Sequence, residues 1–159
     1  MKKYLFIMIP FFFFLTGCGN TFRVYNDIDT AANFNQYSTY SFLDWTDGNK
    51  KVITGMELER IRNTFAKELE SKGLTYNADS SDVKVKLTVY FREARYPSYG
   101  WYPSTYNYIE RAFVLDIFES KTNKQIWHSV GVGEAGRTPE IRADQLPRQA
   151  EKMFDAYPI

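Results

Sequence analysis

Residues Val83-Lys84-Val85-Lys86-Leu87-Thr88-Val89 alternate apolar and polar side chains without a break. Successive side chains on a β-strand point to opposite faces, so one face of this segment is buried and the other is wet. The chain must therefore build a sheet with one covered face, and the cover must come from elsewhere in the sequence. A second long strand is expected at residues 109–119, with Phe113, Leu115 and Ile117 facing inward. The turn Lys121-Thr122-Asn123-Lys124 then returns the chain to a strand at residues 125–135, antiparallel to the last.

The cover comes from helices. Thr54-Gly55-Met56-Glu57 has the form of a capping box, after which Leu58, Ile61, Phe65 and Leu69 fall on one helical face until Gly73 offers a stop. Glu68 and Lys72 form a favourable i,i+4 pair on the wet side. Toward the amino terminus, Phe22-Arg23-Val24-Tyr25 alternates and residues 37–45 are dense in β-formers, giving two short strands around the turn-rich residues 26–36. Thr138-Pro139 is a break, and Asp144 can cap a last helix with Pro147 in its first turn. Leu146, Ala150, Met153 and Tyr157 then share a face, and Pro158 ends it. The expected fold is a single α+β domain in the order ββαβββα. It has about five strands in an antiparallel or mixed sheet and two helices packed on one face. The helix between the second and third strands allows a parallel pairing there.

Composition limits function. The chain has 44% hydrophobic and 25% charged residues, as a globular protein does, and its single Cys and single His supply neither a disulfide framework nor a Cys/His zinc site. Met1 to Gly17 has the layout of a signal peptide: Lys2 and Lys3, an apolar stretch over residues 4–15, then small residues. At 12 residues, with Pro10 inside, the stretch is short of the roughly 20 needed to span a bilayer. Leu15-Thr16-Gly17-Cys18 resembles the bacterial lipobox, which implies cleavage before Cys18 and diacylglycerol on its thiol. The expected organisation is a signal peptide at 1–17, a short lipidated tether at 18–21 and one domain at 22–159. Loss of Lys2 and Lys3 leaves 18 Lys+Arg against 19 Asp+Glu, a net charge of −1 that argues against a nucleic-acid partner. At about 3.3 to 3.6 Å per residue the tether reaches no more than roughly 15 Å, so the domain sits against its membrane. Gly19 and Asn20 lack the Asp that retains enterobacterial lipoproteins at the inner membrane. By that resemblance the periplasmic face of the outer membrane is the expected location.

Four segments together resemble a family of bacterial lipoproteins, that of the domain of unknown function 4136. They are Asn33-Phe34-Asn35-Gln36-Tyr37-Ser38-Thr39-Tyr40; Lys72-Gly73-Leu74 leading to Ser81-Asp82-Val83-Lys84-Val85; Lys124-Gln125-Ile126-Trp127; and Met153-Phe154-Asp155-Ala156-Tyr157-Pro158. The family's last strand often has a basic residue and Gly after the tryptophan, where this chain has His128 and Ser129. The resemblance implies no activity, cofactor or catalytic residue. A more distant similarity in element order, to auxiliary lipoproteins of envelope lipid-transport complexes, rests on topology, and fold does not fix function.

Three constellations invite chemistry. His128 is the lone imidazole, with Glu119, Asp116 and Ser129 as sequence neighbours that a general base would need. No nucleophile motif accompanies it, and a surface or half-buried histidine is the plainer expectation. Asp79-Ser80-Ser81-Asp82 is oxygen-rich but lacks the alternating ligands and closing Glu of a calcium loop, so a turn before the Val83 strand is expected. Gly131-Val132-Gly133 lies inside a strand, which suggests a bulge or close backbone packing.

The segment over residues 96–108 has six aromatics in 13 residues and no charge: Tyr96, Tyr99, Trp101, Tyr102, Tyr106 and Tyr108. Lying between two antiparallel strands, it is expected to be a long hairpin loop. It offers rigid amphipathic area to a protein, a glycan or a lipid headgroup layer, or packs back on its own sheet. The expected function is that of a lipid-anchored, non-catalytic envelope module with this segment as its contact surface, needing neither metal nor cofactor. The alternatives are an auxiliary lipoprotein of a lipid-transport complex with an apolar groove, and a hydrolase centred on His128.

Overall fold

The computed structural model describes residues 22–98 and 104–158. Six strands form one mixed sheet: β1 (Arg23–Ile28), β2 (Thr39–Phe42), β3 (Thr75–Tyr76), β4 (Val83–Ser98), β5 (Ser104–Glu119) and β6 (Gln125–Glu134). Three helices accompany them: α1 (Asp47–Val52), α2 (Gly55–Ser71) and α3 (Pro139–Phe154). The strand order is β1-β6-β5-β4-β2-β3. The first three contacts in that order are antiparallel, while β2 runs parallel to both β4 and β3. The α+β class and the mixed sheet agree with the sequence, but the expected five strands and two helices give way to six and three among the described residues.

Each discrepancy has a local cause. The additional strand, β3, is two residues long, too short to show a period; Gly73, at φ 85°, turns the chain out of α2 directly into it. The additional helix, α1, reads DGNKKV and has no apolar stripe, so nothing in its pattern announces it. Its hold is polar. The Thr46 side chain caps it by accepting from the Asn49 amide, and the buried Asn49 side chain pairs with the edge of β4. Asn49 Nδ2 donates to the Val89 carbonyl at 2.6 Å and Oδ1 accepts from the Val89 N–H at 3.3 Å. One amide side chain thus stands in for the strand that β2 would have supplied had it run on past Phe42. The last helix begins at Pro139, not after Asp144. Thr138 caps it by accepting from Ile141 N, Pro139 occupies the first turn where its missing N–H costs nothing, and Pro147 lies inside the helix.

The covered face of the sheet carries Val83, Val85, Leu87, Val89, Phe113, Leu115, Ile117 and Trp127, all buried. Ile61, Phe65 and Leu69 of α2 and Leu146, Ala150, Met153 and Phe154 of α3 lie against it, each large apolar side chain contributing about 1.5–3 kcal/mol. Phe65 meets Phe113 and Phe154 at 5.6 and 6.3 Å between ring centres, and Trp127 meets Phe154 and Tyr157 at 5.2 and 5.0 Å. The glycines of β6 serve close approach: a Cβ at Gly131 would collide with the Phe22 ring and sit 2.7 Å from Met153 Sδ.

The strands differ in length, and this shapes one end of the sheet. β4 and β5 pair residue for residue from Val83↔Glu119 to Ser98↔Ser104. Their neighbours stop sooner: β2 pairs no further than Val85, and β6 ends opposite Glu110. Past Glu110 the hairpin continues as a two-stranded ribbon projecting from the sheet. β1 enters at that same end, because Arg23 is level with Val132 of β6, Ala112 of β5 and Tyr90 of β4.

Candidate functional site

Residues 96–98 and 104–108, expected to lie in a loop, are paired strand. Two prolines, Pro97 and Pro103, and the loss of the one-in, one-out pattern disguised them, for a ribbon with no core beneath it needs no such pattern. One face of the ribbon and its root carries Tyr90, Arg92, Ala94 and Tyr96 of β4 across from Ala112, Glu110, Tyr108 and Tyr106 of β5. The other carries Phe91, Glu93, Arg95 and Pro97 across from Arg111, Ile109, Asn107 and Thr105. Tyr96 is 65% exposed and its partner Tyr106 is 40% exposed; Tyr90, Phe91 and Ile109 are exposed as well. Two of the expected contact residues, Tyr96 and Tyr106, are therefore in the open and opposite each other, with Tyr108 stacked on Tyr106 at 6.1 Å. Tyr99, Trp101 and Tyr102 lie outside the described residues, as does Cys18.

The ribbon is braced at its root. Tyr106 Oη donates to Glu134 at 2.8 Å and accepts from Arg137 Nη2 at 2.8 Å, while Arg92 Nε donates to Glu110 at 2.6 Å. On the covered side of the root, Val52, Ile53, Phe91, Ile109, Glu57 and Arg142 line an open cleft of about 470 Å³. Arg142 donates to both carboxylate oxygens of Glu57, at 2.7 and 2.9 Å, and this holds the Glu57 carboxyl below its ordinary range. Arg111 lies deeper and is 2% exposed. Its Nη2 donates to Gln149 at 2.7 Å, Nη1 is 3.9 Å from Glu57, and its guanidinium sits 4.5 Å from the Phe113 ring centre. Burial pulls its pKa down to about 10, so it is a cation at neutral pH. Sequence reasoning passed over this cluster. The signal was present: Arg111 has the parity of Phe113, Leu115 and Ile117, and a charge in an inward position of an alternating strand needs partners.

The histidine and the oxygen-rich turn have simpler surroundings. His128 lies on the open face of the sheet, with Nδ1 2.5 Å from Asp116 Oδ1. The register of β5 and β6 makes the two direct partners, and Gln125 Nε2 also donates to Asp116 at 2.7 Å. Ser129 is buried on the covered face, away from the imidazole, and Glu119 accepts instead from Tyr37 and Thr122. A carboxylate thus orients the histidine, but neither of the other two sequence candidates joins it. Asp82 accepts from the backbone N–H and the hydroxyl of both Ser38 and Thr39, at 2.9–3.1 Å. These bonds hold its pKa down and clip the start of β4 to β2. Among the described residues no three His, Cys, Asp or Glu converge as metal ligands, and no helix is long and apolar enough to cross a membrane.

The fold recurs in solved structures. The chain aligns over 85% of its length with 35% of a PDZ domain protein from Parabacteroides distasonis, at 14% identity and TM-score 0.61. It thus spans about a third of that protein. It also aligns over 84% of its length with 95% of a chain from a PelC variant dodecamer of Paraburkholderia phytofirmans, at 10% identity and TM-score 0.53. At these identities the likeness is one of fold alone. No curated protein matches the sequence. Residues 24–159 match the model described as Domain of unknown function (DUF4136), and the chain belongs to that family.

Proposed function

We propose that this chain is a lipid-anchored, non-catalytic module of the bacterial cell envelope that makes its contacts through the β4–β5 ribbon. The ribbon itself carries this reading: it leaves the sheet with Tyr96 and Tyr106 exposed and opposite each other, and Tyr90 is exposed on the open face at its root. Large aromatic side chains on a stiff support give contact area at little entropic cost, as binding surfaces require. The anchor rests on the sequence: Lys2, Lys3, the apolar residues 4–15 and the lipobox-like Leu15-Thr16-Gly17-Cys18.

Two measurements test the halves of this reading. Metabolic labelling with a fatty acid should mark the protein, and Cys18→Ser should abolish the label; equal labelling of the variant refutes the anchor. A photo-crosslinking amino acid at Tyr96 in intact cells should form adducts with an envelope component, while one at Thr122, in the turn at the other end of the sheet, should not. Equal yields from the two positions refute the ribbon as the contact surface.

A further inference from the structure

We infer that the ribbon's partner is the bilayer itself, with Tyr96 and Tyr106 seated in the headgroup layer of the membrane that holds Cys18. This deepens the proposal above and rests on its lipid anchor. The support is one of lengths and directions. The point where the chain enters the domain is fixed: the Phe22 ring packs on Gly131 and Gly133, and the Phe22 carbonyl accepts from Lys152 Nζ at 2.7 Å. From Phe22 back to Cys18 there are four residue steps, a reach of no more than about 14 Å when fully stretched.

Strand β4 passes that same level and runs further. Arg23 is level with Tyr90 across the sheet. From Tyr90 the strand continues to Tyr96 and Ser98, about 20 and 26 Å further on at 3.3 Å per residue. A tether shorter than the ribbon cannot hold an upright domain clear of the bilayer, so the end of the ribbon meets the headgroups. Tilting lays the side of the ribbon, and Tyr90 and Tyr96 with it, along the same layer. Inverting the domain would instead press the turn containing Lys121 and Lys124 toward the lipid.

The chemistry agrees with the lengths. Residues 96–108 contain no charge and six Tyr or Trp, the residue types that settle where hydrocarbon gives way to headgroups. The first charged residue toward the body on β4 is the exposed Arg95, followed by Glu93 and by Arg92, which is paired with Glu110; the aliphatic stem of Arg95 can lie along the interface while its guanidinium reaches phosphate.

The test uses the full-length protein purified with its lipid. Acylation blocks the Cys18 thiol, so Ser104→Cys or Thr122→Cys each provides a single site for an environment-sensitive fluorophore. Each is reconstituted into phosphatidylethanolamine and phosphatidylglycerol vesicles with and without doxyl-labelled lipid. The probe at position 104 should shift to the blue and be quenched several-fold more than the probe at 122. Equal quenching at the two positions, on protein whose Cys18 carries diacylglycerol by mass spectrometry, overturns the ribbon's contact and leaves the anchor standing. Mass spectrometry finding Cys18 unmodified refutes the anchor and this inference together.

Discussion

The β4–β5 hairpin is two structures on one pair of strands. In its rooted half, residues 83–89 and 113–119, alternate side chains vanish under α2 and α3, and each position is decided by which face it occupies. In its projecting half the backbone pairing is the same, yet the consecutive residues Arg95 and Tyr96 are both exposed. Identical hydrogen bonding therefore supports opposite selective demands. Volume and shape govern the first half, and surface chemistry governs the second.

Substitutions should separate the two halves sharply. Phe113→Ala removes a fully buried ring that touches Phe65 and should cost about 3–5 kcal/mol, seen as a large fall in the urea midpoint; a cost below about 1 kcal/mol would erase the distinction. Asn49→Ala acts at the boundary, where the buried amide pairs with both polar groups of Val89. Leaving those groups unpaired should cost about 1–3 kcal/mol, and hydrogen exchange at Val89 should quicken more than at Leu115. At the far end, Tyr96→Ser should move stability by only about 0.5 kcal/mol in either direction, since that side chain is exposed. A large loss there would mean that the ribbon packs on its own domain.

The same division explains what could be read from the residues. The alternation at Val83 to Val89, the apolar stripe Leu58, Ile61, Phe65 and Leu69, and the turn at Lys121 to Lys124 each obey a period or a turn rule imposed by burial, and each lies where it was expected. Elements held by something other than an apolar face were illegible. The helix Asp47–Val52 depends on one amide finding a strand edge 40 residues away, and β3 exists only because Thr39 and Tyr40 of β2 are there to pair with it. The ribbon's strands are held by each other, so they leave no pattern against a core. Of the aromatic segment, the chemistry was legible and the secondary structure was not. The pairing of His128 with Asp116 follows once the β5–β6 register is set, whereas Glu57, Arg111 and Arg142 are brought together from three separate elements.

The placement of Phe22 has a mechanical side. Its ring is wedged over Gly131 and Gly133, and directly behind it Arg23 to Ile28 pair with six consecutive residues of β6. A pull on the chain from beyond Phe22 runs along the axis of β1, so it loads those pairs together in shear instead of opening them one at a time. A membrane drawing on a tether at this point would grip the sheet by its most force-resistant direction, with the aromatic wedge as the first stop.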